Sequence, residues 1–280
     1  MKFFIKKADP GKLPHLLKLL DDDSALVRRA VSEELLAFGP DLEDELGRLR
    51  LPAPHAVWRQ IESLLDEYQR SEFKTSWGEW KKIKAPGERL EAMLAKVAFF
   101  VSGWAHRAPL KKLLDDLAAE YNDRYDQRDP KRLADFLFGL KKFKGAKKDY
   151  YDPGHNDLIH VILERRGIPI TLTSLYMLVG ARLGIAIEGC NFPGHFLAKV
   201  ELRNETALVD CFNGGRIMTP EEWVPSCDES LLAQVLSEPA TPEQMAARIL
   251  NNLQHAYRLS GDTDRAAYAA DLLRSSFLND

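Results

Sequence analysis

The sequence predicts an α+β protein, predominantly helical, with a small antiparallel sheet towards its C-terminal side. Three observations predict it. Leucines recur at helical spacing through the first half of the chain. An almost wholly apolar run, Thr171–Leu183, marks a helix buried on every side. Three short strand-like pieces then follow before helical patterns resume near residue 246.

Taken in order, Leu13, Leu16, Leu17 and Leu20 fall on one helical face. Asp21-Asp22-Asp23-Ser24 supplies turn and N-cap chemistry. Ala25, Leu26, Ala30, Leu35 and Leu36 continue as a second amphipathic stretch, closed by Gly39-Pro40. A further helical pair is expected over Asp41–Arg50 and His55–Arg70, and residues 71–87, with Trp77-Gly78 and Ala85-Pro86-Gly87, read as a linker.

Helices are expected at 88–102, 109–126 and 131–143. The second has Pro109 near its start and a stripe of Leu110, Leu113, Leu114, Leu117 and Ala118. Leu158, Ile159, Ile162 and Leu163 make a helix opened by Asn156 and ending at Arg166-Gly167. After the buried helix the strand-like pieces are Ile185–Glu188, His195–Leu202 and Ala207–Phe212, with Arg203-Asn204-Glu205-Thr206 as a hairpin loop. The tail, Ala246–Leu259 and Asp264–Phe277, reads as a helical hairpin turned at Ser260-Gly261-Asp262.

Bulk composition excludes several classes. At 280 residues the chain suits roughly two domains. Thirty-nine basic residues against 42 acidic give a net charge of −3, so no global field recruits nucleic acid or an anionic membrane. Lys141, Lys142, Lys144, Lys147 and Lys148 form a local basic cluster that reads as a solvated loop. Apolar runs such as Val97–Val101 and Leu175–Ala181 fall far short of the roughly 20 residues of a membrane span. Met1–Lys7 lacks the apolar region and cleavage site of a signal peptide, which points to the cytoplasm. Cys190, Cys211 and Cys227 are spaced for neither a disulfide framework nor a zinc site and read as reduced thiols.

Gly167-Ile168-Pro169-Ile170-Thr171-Leu172-Thr173-Ser174-Leu175-Tyr176, Phe192-Pro193-Gly194-His195-Phe196-Leu197 and Asp210-Cys211-Phe212-Asn213-Gly214-Gly215 resemble successive motifs of the SirB family. That family is a bacterial branch of the transglutaminase-like superfamily, and a related domain occurs in some eukaryotic F-box proteins. The resemblance covers about 88–280. Leu16–Val31, with its acidic turn followed by Val27-Arg28, resembles a HEAT-type repeat, and Ala247–Asp262 resembles one TPR-type unit. The implied organisation is a HEAT-like region at 1–75, a transglutaminase-like, cysteine-protease-like core at 88–240 and a TPR-like hairpin at 241–280, so that helical repeats flank the core.

The superfamily device the resemblance implies is a thiolate at a helix N-terminus, a histidine on the following strand to activate it, and an aspartate on the next strand to orient that histidine. His195 and Asp210 take the last two places. The nucleophile's place falls near Pro169, and no cysteine precedes Cys190. His195 and Asp210 are therefore expected as a residual dyad in hydrogen-bond contact. Cys190, in the loop before His195, and the hydroxyls of Thr171, Thr173 and Ser174 are the substitute nucleophiles to examine. Cys211 should point to the face opposite Asp210. Asn156 is an N-cap or a residue of the pocket rim.

His155 and His160 stand five apart, not the three or four that align two ligands on a helix face, so no metal is expected and no cofactor is implied. The function that follows is a non-catalytic protein binding a protein or peptide partner, with no nucleic acid and no membrane; the oligomeric state stays open. The alternative is a hydrolase or acyltransferase with a non-standard nucleophile working through His195 and Asp210.

Overall fold

The computed structural model describes residues 8–38, 41–49, 54–103, 109–223 and 228–277. The chain forms two compact units, Met1–Trp77 and Gly78–Asp280. Met1–Lys7, Gly39-Pro40 and Cys227 lie outside the described residues.

The described part of the first unit is helical. A turn of 3-10 helix at Pro10–Lys12 opens on Asp9, whose carboxylate accepts the Gly11 N–H at 3.0 Å, and runs into α1 (Leu13–Leu16). The acidic turn then leads to α2 (Ala25–Leu36), followed by α3 (Leu42–Arg48) and α4 (Pro54–Ser76). Ser24 occupies the N-cap position of α2, but its hydroxyl caps nothing; the Asp22 carboxylate accepts the Ser24 N–H at 2.8 Å instead. Arg28, one turn into α2, folds back and donates to the carbonyls of Asp22 at 2.8 Å and Asp23 at 3.2 Å, closing the turn from the helix side.

Leu13, Leu16, Leu20, Val31, Leu35, Leu42, Leu46 and Ile61 share one buried cluster. Each such side chain contributes about 1.5–3 kcal/mol on burial. Leu26, expected on the inner face of α2, is 80% exposed, because the inner stripe runs through Val31 and Leu35. The expected linker at 71–87 is mostly helix. α4 continues to Ser76 and a 3-10 stretch spans Trp77–Lys82, with Trp77 and Trp80 both buried. Two tryptophans carry enough apolar surface to hold this segment in ordered structure.

The second unit begins with α5 (Pro86–Ser102), α6 (Leu110–Asn122) and α7 (Pro130–Ala134), which continues as a π-helical stretch over Asp135–Leu140. Strand β1 (Lys144–Gly145) pairs in parallel with β2 (Arg166–Gly167), across α8 (Leu158–Glu164). α9 (Pro169–Arg182) begins with Pro at its first position, where the missing N–H costs nothing. It is buried from Pro169 through Tyr176, between α6, α8 and the sheet. Arg182 at its end donates to Asp115 of α6 at 2.6 Å and to Glu91 of α5 at 2.7 Å, tying three helices together.

The sheet is antiparallel in the order β3 (Glu188–Cys190), β4 (Leu197–Leu202), β5 (Glu205–Asp210), β6 (Arg216–Met218). Arg203 and Asn204 both have positive φ, 54° and 66°, and form a two-residue hairpin turn. Glu205 and Thr206, expected in that loop, are strand residues. The first strand lies three residues later than expected, which puts Cys190 in the sheet and not in a loop. β6 was not legible because three residues after a Gly-Gly turn give too little pattern. α10 (Pro220–Trp223) and α11 (Glu229–Ser237) follow, and α12 (Pro242–Leu259) packs against α13 (Thr263–Phe277) as the closing helical hairpin.

Candidate functional site

The β4–β5 hairpin carries the site. Its register pairs Ala198 with Val209, which brings His195, just before β4, and Asp210, the last residue of β5, to the same end of the hairpin. The approach to β4 is shaped by Gly194, whose φ of +73° suits the Pro193-Gly194 turn, and by the His195 N–H donating to the Phe192 carbonyl at 3.2 Å. His195 therefore stands in the turn, two residues earlier than the strand that was expected to hold it.

His195 Nε2 lies 3.1 Å from Asp210 Oδ1, with the two side chains 16% and 6% exposed. The distance is that of an ion pair, but the ring N–H is not aimed squarely at the oxygen, and Nε2 makes no aligned hydrogen bond. The expected contact is thus present in distance and loose in angle.

Asp210 has a second, better-aligned partner that the sequence reading missed. Asn213 donates its backbone N–H to Oδ1 at 3.1 Å and its side-chain amide to Oδ2 at 2.8 Å. Burial pushes the Asp210 carboxyl up, but the contacts from His195 and Asn213 outweigh it and hold its pKa below the usual carboxylate value. The Asp210-Cys211-Phe212-Asn213 spacing was the available signal, since an Asx side chain commonly bonds backbone two or three residues on. Trp223 stacks on the imidazole with ring centroids 5.6 Å apart and planes 25° apart, and Phe212 meets it edge-on at 6.3 Å. Nothing in the sequence pointed to Trp223, which arrives through β6 and α10.

The substitute nucleophiles are each held elsewhere. Thr171 Oγ1 donates towards the carbonyls of His155 at 2.9 Å and Ile168 at 3.1 Å, and accepts the Ile168 N–H at 3.2 Å. Ser174 donates to the Ile170 carbonyl at 2.8 Å, and Thr173 to the Phe196 carbonyl at 3.4 Å. All three hydroxyl residues are fully buried. Cys190 is a free, buried thiol in an apolar cluster with Phe192, Leu197 and Leu208. Burial raises its pKa to about 12, against an opposing pull from Lys199. Cys211 is likewise free and buried, and its pKa is raised by burial as well. No hydroxyl or thiol among the described residues makes a hydrogen bond to the His195 ring.

Asn156 is not the N-cap of α8. Asp157 takes that place, accepting the N–H groups of Ile159 at 2.8 Å and His160 at 3.2 Å, and it also accepts the Ser102 hydroxyl at 2.6 Å. The cap fell one residue late because Pro153–Asn156 form their own 3-10 turn. Asn156 is 2% exposed with a buried Oδ1 that has no partner, and His155 beside it has neither ring nitrogen bonded. Burial lowers the pKa of His155. His155 and His160 have ring centroids 6.0 Å apart, and no group of three or more His, Cys, Asp or Glu among the described residues could hold a metal. No described helix is long and apolar enough to cross a membrane.

A family model described as transglutaminase-like superfamily matches residues 105–260. A UPF0162 protein of Xylella fastidiosa (strain 9a5c) is 37% identical over 147 residues, covering 49% of this chain and 51% of the relative. A UPF0162 protein of Vibrio cholerae is 27% identical over 112 residues, covering 40% and 42%. Human F-box only protein 21 is 38% identical over 77 residues, covering 28% of this chain and 12% of its own length. The chain spans about half the length of the first of these curated relatives. No solved structure matches it.

Proposed function

Since this chain belongs to the transglutaminase-like superfamily, we propose that it is a non-catalytic member, of SirB type, that binds a protein or peptide partner. The observation that carries the proposal is the occupancy of every candidate nucleophile. The place near Pro169 where the superfamily keeps its thiolate has no cysteine. The neighbouring hydroxyls of Thr171 and Ser174 are committed to backbone carbonyls. A hydroxyl needs its proton removed by an adjacent base to become useful, and a thiol needs its pKa brought towards neutrality. Neither condition is met at Thr171, Ser174 or Cys190.

Two further features support a binding role. We read the packed α12–α13 pair as a TPR-like hairpin and the Arg28-closed turn between α1 and α2 as part of a HEAT-like repeat, and repeats of these kinds mostly present surfaces to other proteins. On this reading the chain is organised as a HEAT-like region at 1–75, a transglutaminase-like core at 88–240 and a TPR-like hairpin at 241–280. Two free, buried thiols fit a reducing compartment such as the cytoplasm, and the near-balanced charge fits a protein partner better than nucleic acid.

One observation favours the second reading, a hydrolase or acyltransferase. The 3.1 Å approach of His195 to Asp210 keeps the half of the device that would serve as base. The experiment follows from that contrast. Purified protein is incubated with a glutamine-containing peptide and hydroxylamine, and separately with p-nitrophenyl acetate. Rates equal to those of His195→Ala support the binding reading. Labelling of Cys190, Ser174 or Thr171 in native protein by an electrophilic probe, abolished by His195→Ala, would overturn it in favour of the enzyme.

A further inference from the structure

Among the described residues, Arg248, on α12, has no counter-charge. Its Nη1 donates to the Phe192 carbonyl at 2.7 Å and to Oδ1 of Asn191, which fixes it against the loop leading to His195. The guanidinium carbon lies 5.6 Å from the centroid of the Phe196 ring. Arg89, by contrast, is matched by Glu243, and Arg182 by Glu91 and Asp115. Among the described residues no carboxylate lies within ion-pairing distance of Arg248, and its Nε–Nη2 edge donates no hydrogen bond. Neither atom is sealed from solvent. Burial draws its pKa down, and the group that opposes this is the Tyr150 hydroxyl. A guanidinium held half-buried without an anion leaves favourable interaction unused, and a fixed planar fork is preorganised for a carboxylate.

The neighbours of Arg248 are aromatic. Tyr150 meets Phe212 edge-on with centroids 6.0 Å apart, and Phe212 meets His195. Tyr151 packs on His255, also on α12, at 4.9 Å, so the helix that carries Arg248 is docked on the Tyr150-Tyr151 segment. Arg248 and the His195 N–H donate to the same Phe192 carbonyl, so a cation with an open fork stands close to the end of this aromatic wall at the His195–Asp210 pair.

We propose that the Nε–Nη2 edge of Arg248 is the anchor for a carboxylate on a peptide whose neighbouring apolar side chain lies along Phe212 and His195. This rests on the peptide-binding reading above and names the group that reading leaves open. The carboxylate comes from an Asp or Glu side chain or from a chain terminus. One planar fork matches one carboxylate, whereas phosphate recognition characteristically gathers a cluster of arginines.

The test uses the full chain and four probes in calorimetric titrations: N-acetyl-phenylalanine as the free acid, N-acetyl-Phe-Glu-amide, the neutral N-acetyl-Phe-Gln-amide and phenyl phosphate. At least one of the two acids binds about tenfold or more tighter than the neutral peptide, the preference expected of a charge-assisted fork. Preference for the free acid identifies a chain terminus, and preference for the Glu peptide identifies a side chain. Arg248→Gln erases the preference, and Arg248→Lys, which keeps the charge and loses the fork, keeps only part of it. Circular dichroism checks that the variants fold, and the Lys variant carries the test where the Gln variant does not.

The proposal is overturned if the neutral peptide binds as tightly as both acids, if Arg248→Gln binds the acids unchanged, if neither acid binds at millimolar concentration, or if phenyl phosphate outbinds both. Tight binding of neutral and acidic peptides alike removes the anchor and leaves the peptide-binding reading standing. Cleavage of a probe removes the non-catalytic reading and leaves the anchor.

Discussion

Asn213 reaches back three residues to grip both oxygens of Asp210, with its backbone N–H on Oδ1 at 3.1 Å and its side-chain amide on Oδ2 at 2.8 Å. The carboxylate beside His195 is therefore positioned even without the imidazole, and its orientation is a property of the turn after β5. Asn213→Ala removes one hydrogen bond to a buried charge and should cost about 1–3 kcal/mol of stability at neutral pH, read from urea unfolding.

The pH dependence of that loss has a definite sign. The Asp210 carboxyl is held below its ordinary value in the folded state. Such a group adds stability that is fully present above its unfolded-state pKa of about 3.9 and is lost as pH falls through the folded value. The difference between wild type and Asp210→Asn should accordingly be largest above about pH 5 and shrink towards pH 2. A difference that is flat across this range would show that the contacts seen here do not stabilise the ionised form.

Cys190 and Cys211 are both free and fully buried, with thiol pKa values raised by burial. At neutral pH a thiol-directed reagent should modify them on the order of a hundredfold more slowly in native protein than in denaturant, because reaction waits on local opening. Mass spectrometry of the modified peptides reads each site separately. Fast native labelling at Cys190 would contradict its place in the sheet.

Arg182 holds α5, α6 and α9 through Glu91 and Asp115. Arg182→Ala takes the cation from Glu91 while Asp115 keeps Lys111 at 2.8 Å, and should destabilise the protein by about 1–3 kcal/mol, the range for losing hydrogen bonds to charged groups that are partly exposed. Arg182→Met, paired with Glu91→Gln and Asp115→Asn, should recover much of that loss. Thermal unfolding of the set decides whether the network is a net gain or only a matched set of charges.

Gly145 donates its N–H to the Phe212 carbonyl at 3.2 Å, and a Cβ built on it would lie 2.6 Å from that carbonyl oxygen and 2.7 Å from the Phe212 ring. Gly145→Ala must push Phe212 away from its place between Tyr150 and His195. An overpacking cost of about 1–3 kcal/mol is expected, together with a shift in the His195 ring proton resonances, whereas Gly87→Ala, with nothing within 4 Å, should leave both unchanged.

How much of this was legible in the sequence depended on how each feature is encoded. The buried helix α9 was visible because eleven of its residues from Pro169 to Gly180 are buried and the run is apolar all round. His195 and Asp210 were visible because a turn signal and a hairpin placed them at one end of paired strands. Trp77 and Trp80 misled, because Gly78 and nearby charges suggested a linker while both side chains are buried. Cys190 was misplaced by a strand shift of three residues, a common size of boundary error in short strands. Asn156 lost the cap to Asp157 because two adjacent Asx residues compete for one position and only the backbone decides between them. Arg248 was invisible as a lone cation, since an arginine becomes informative only when the carboxylates that could match it are known to lie elsewhere.

The Gly145–Phe212 tie joins stretches of chain far apart in sequence, and Arg248 reaches the Asn191-Phe192 loop from farther still. The wall beside His195 is thus a convergence of remote segments, and no short fragment contains it. Closing those long loops costs entropy before the wall's own contacts are made, so it forms late in condensation and is lost with the unit as a whole. Occupancy there is then coupled to global unfolding by mass action: a bound peptide raises the melting temperature in proportion to the logarithm of its concentration above Kd, and the melting curve becomes an affinity measurement that needs no label on either partner.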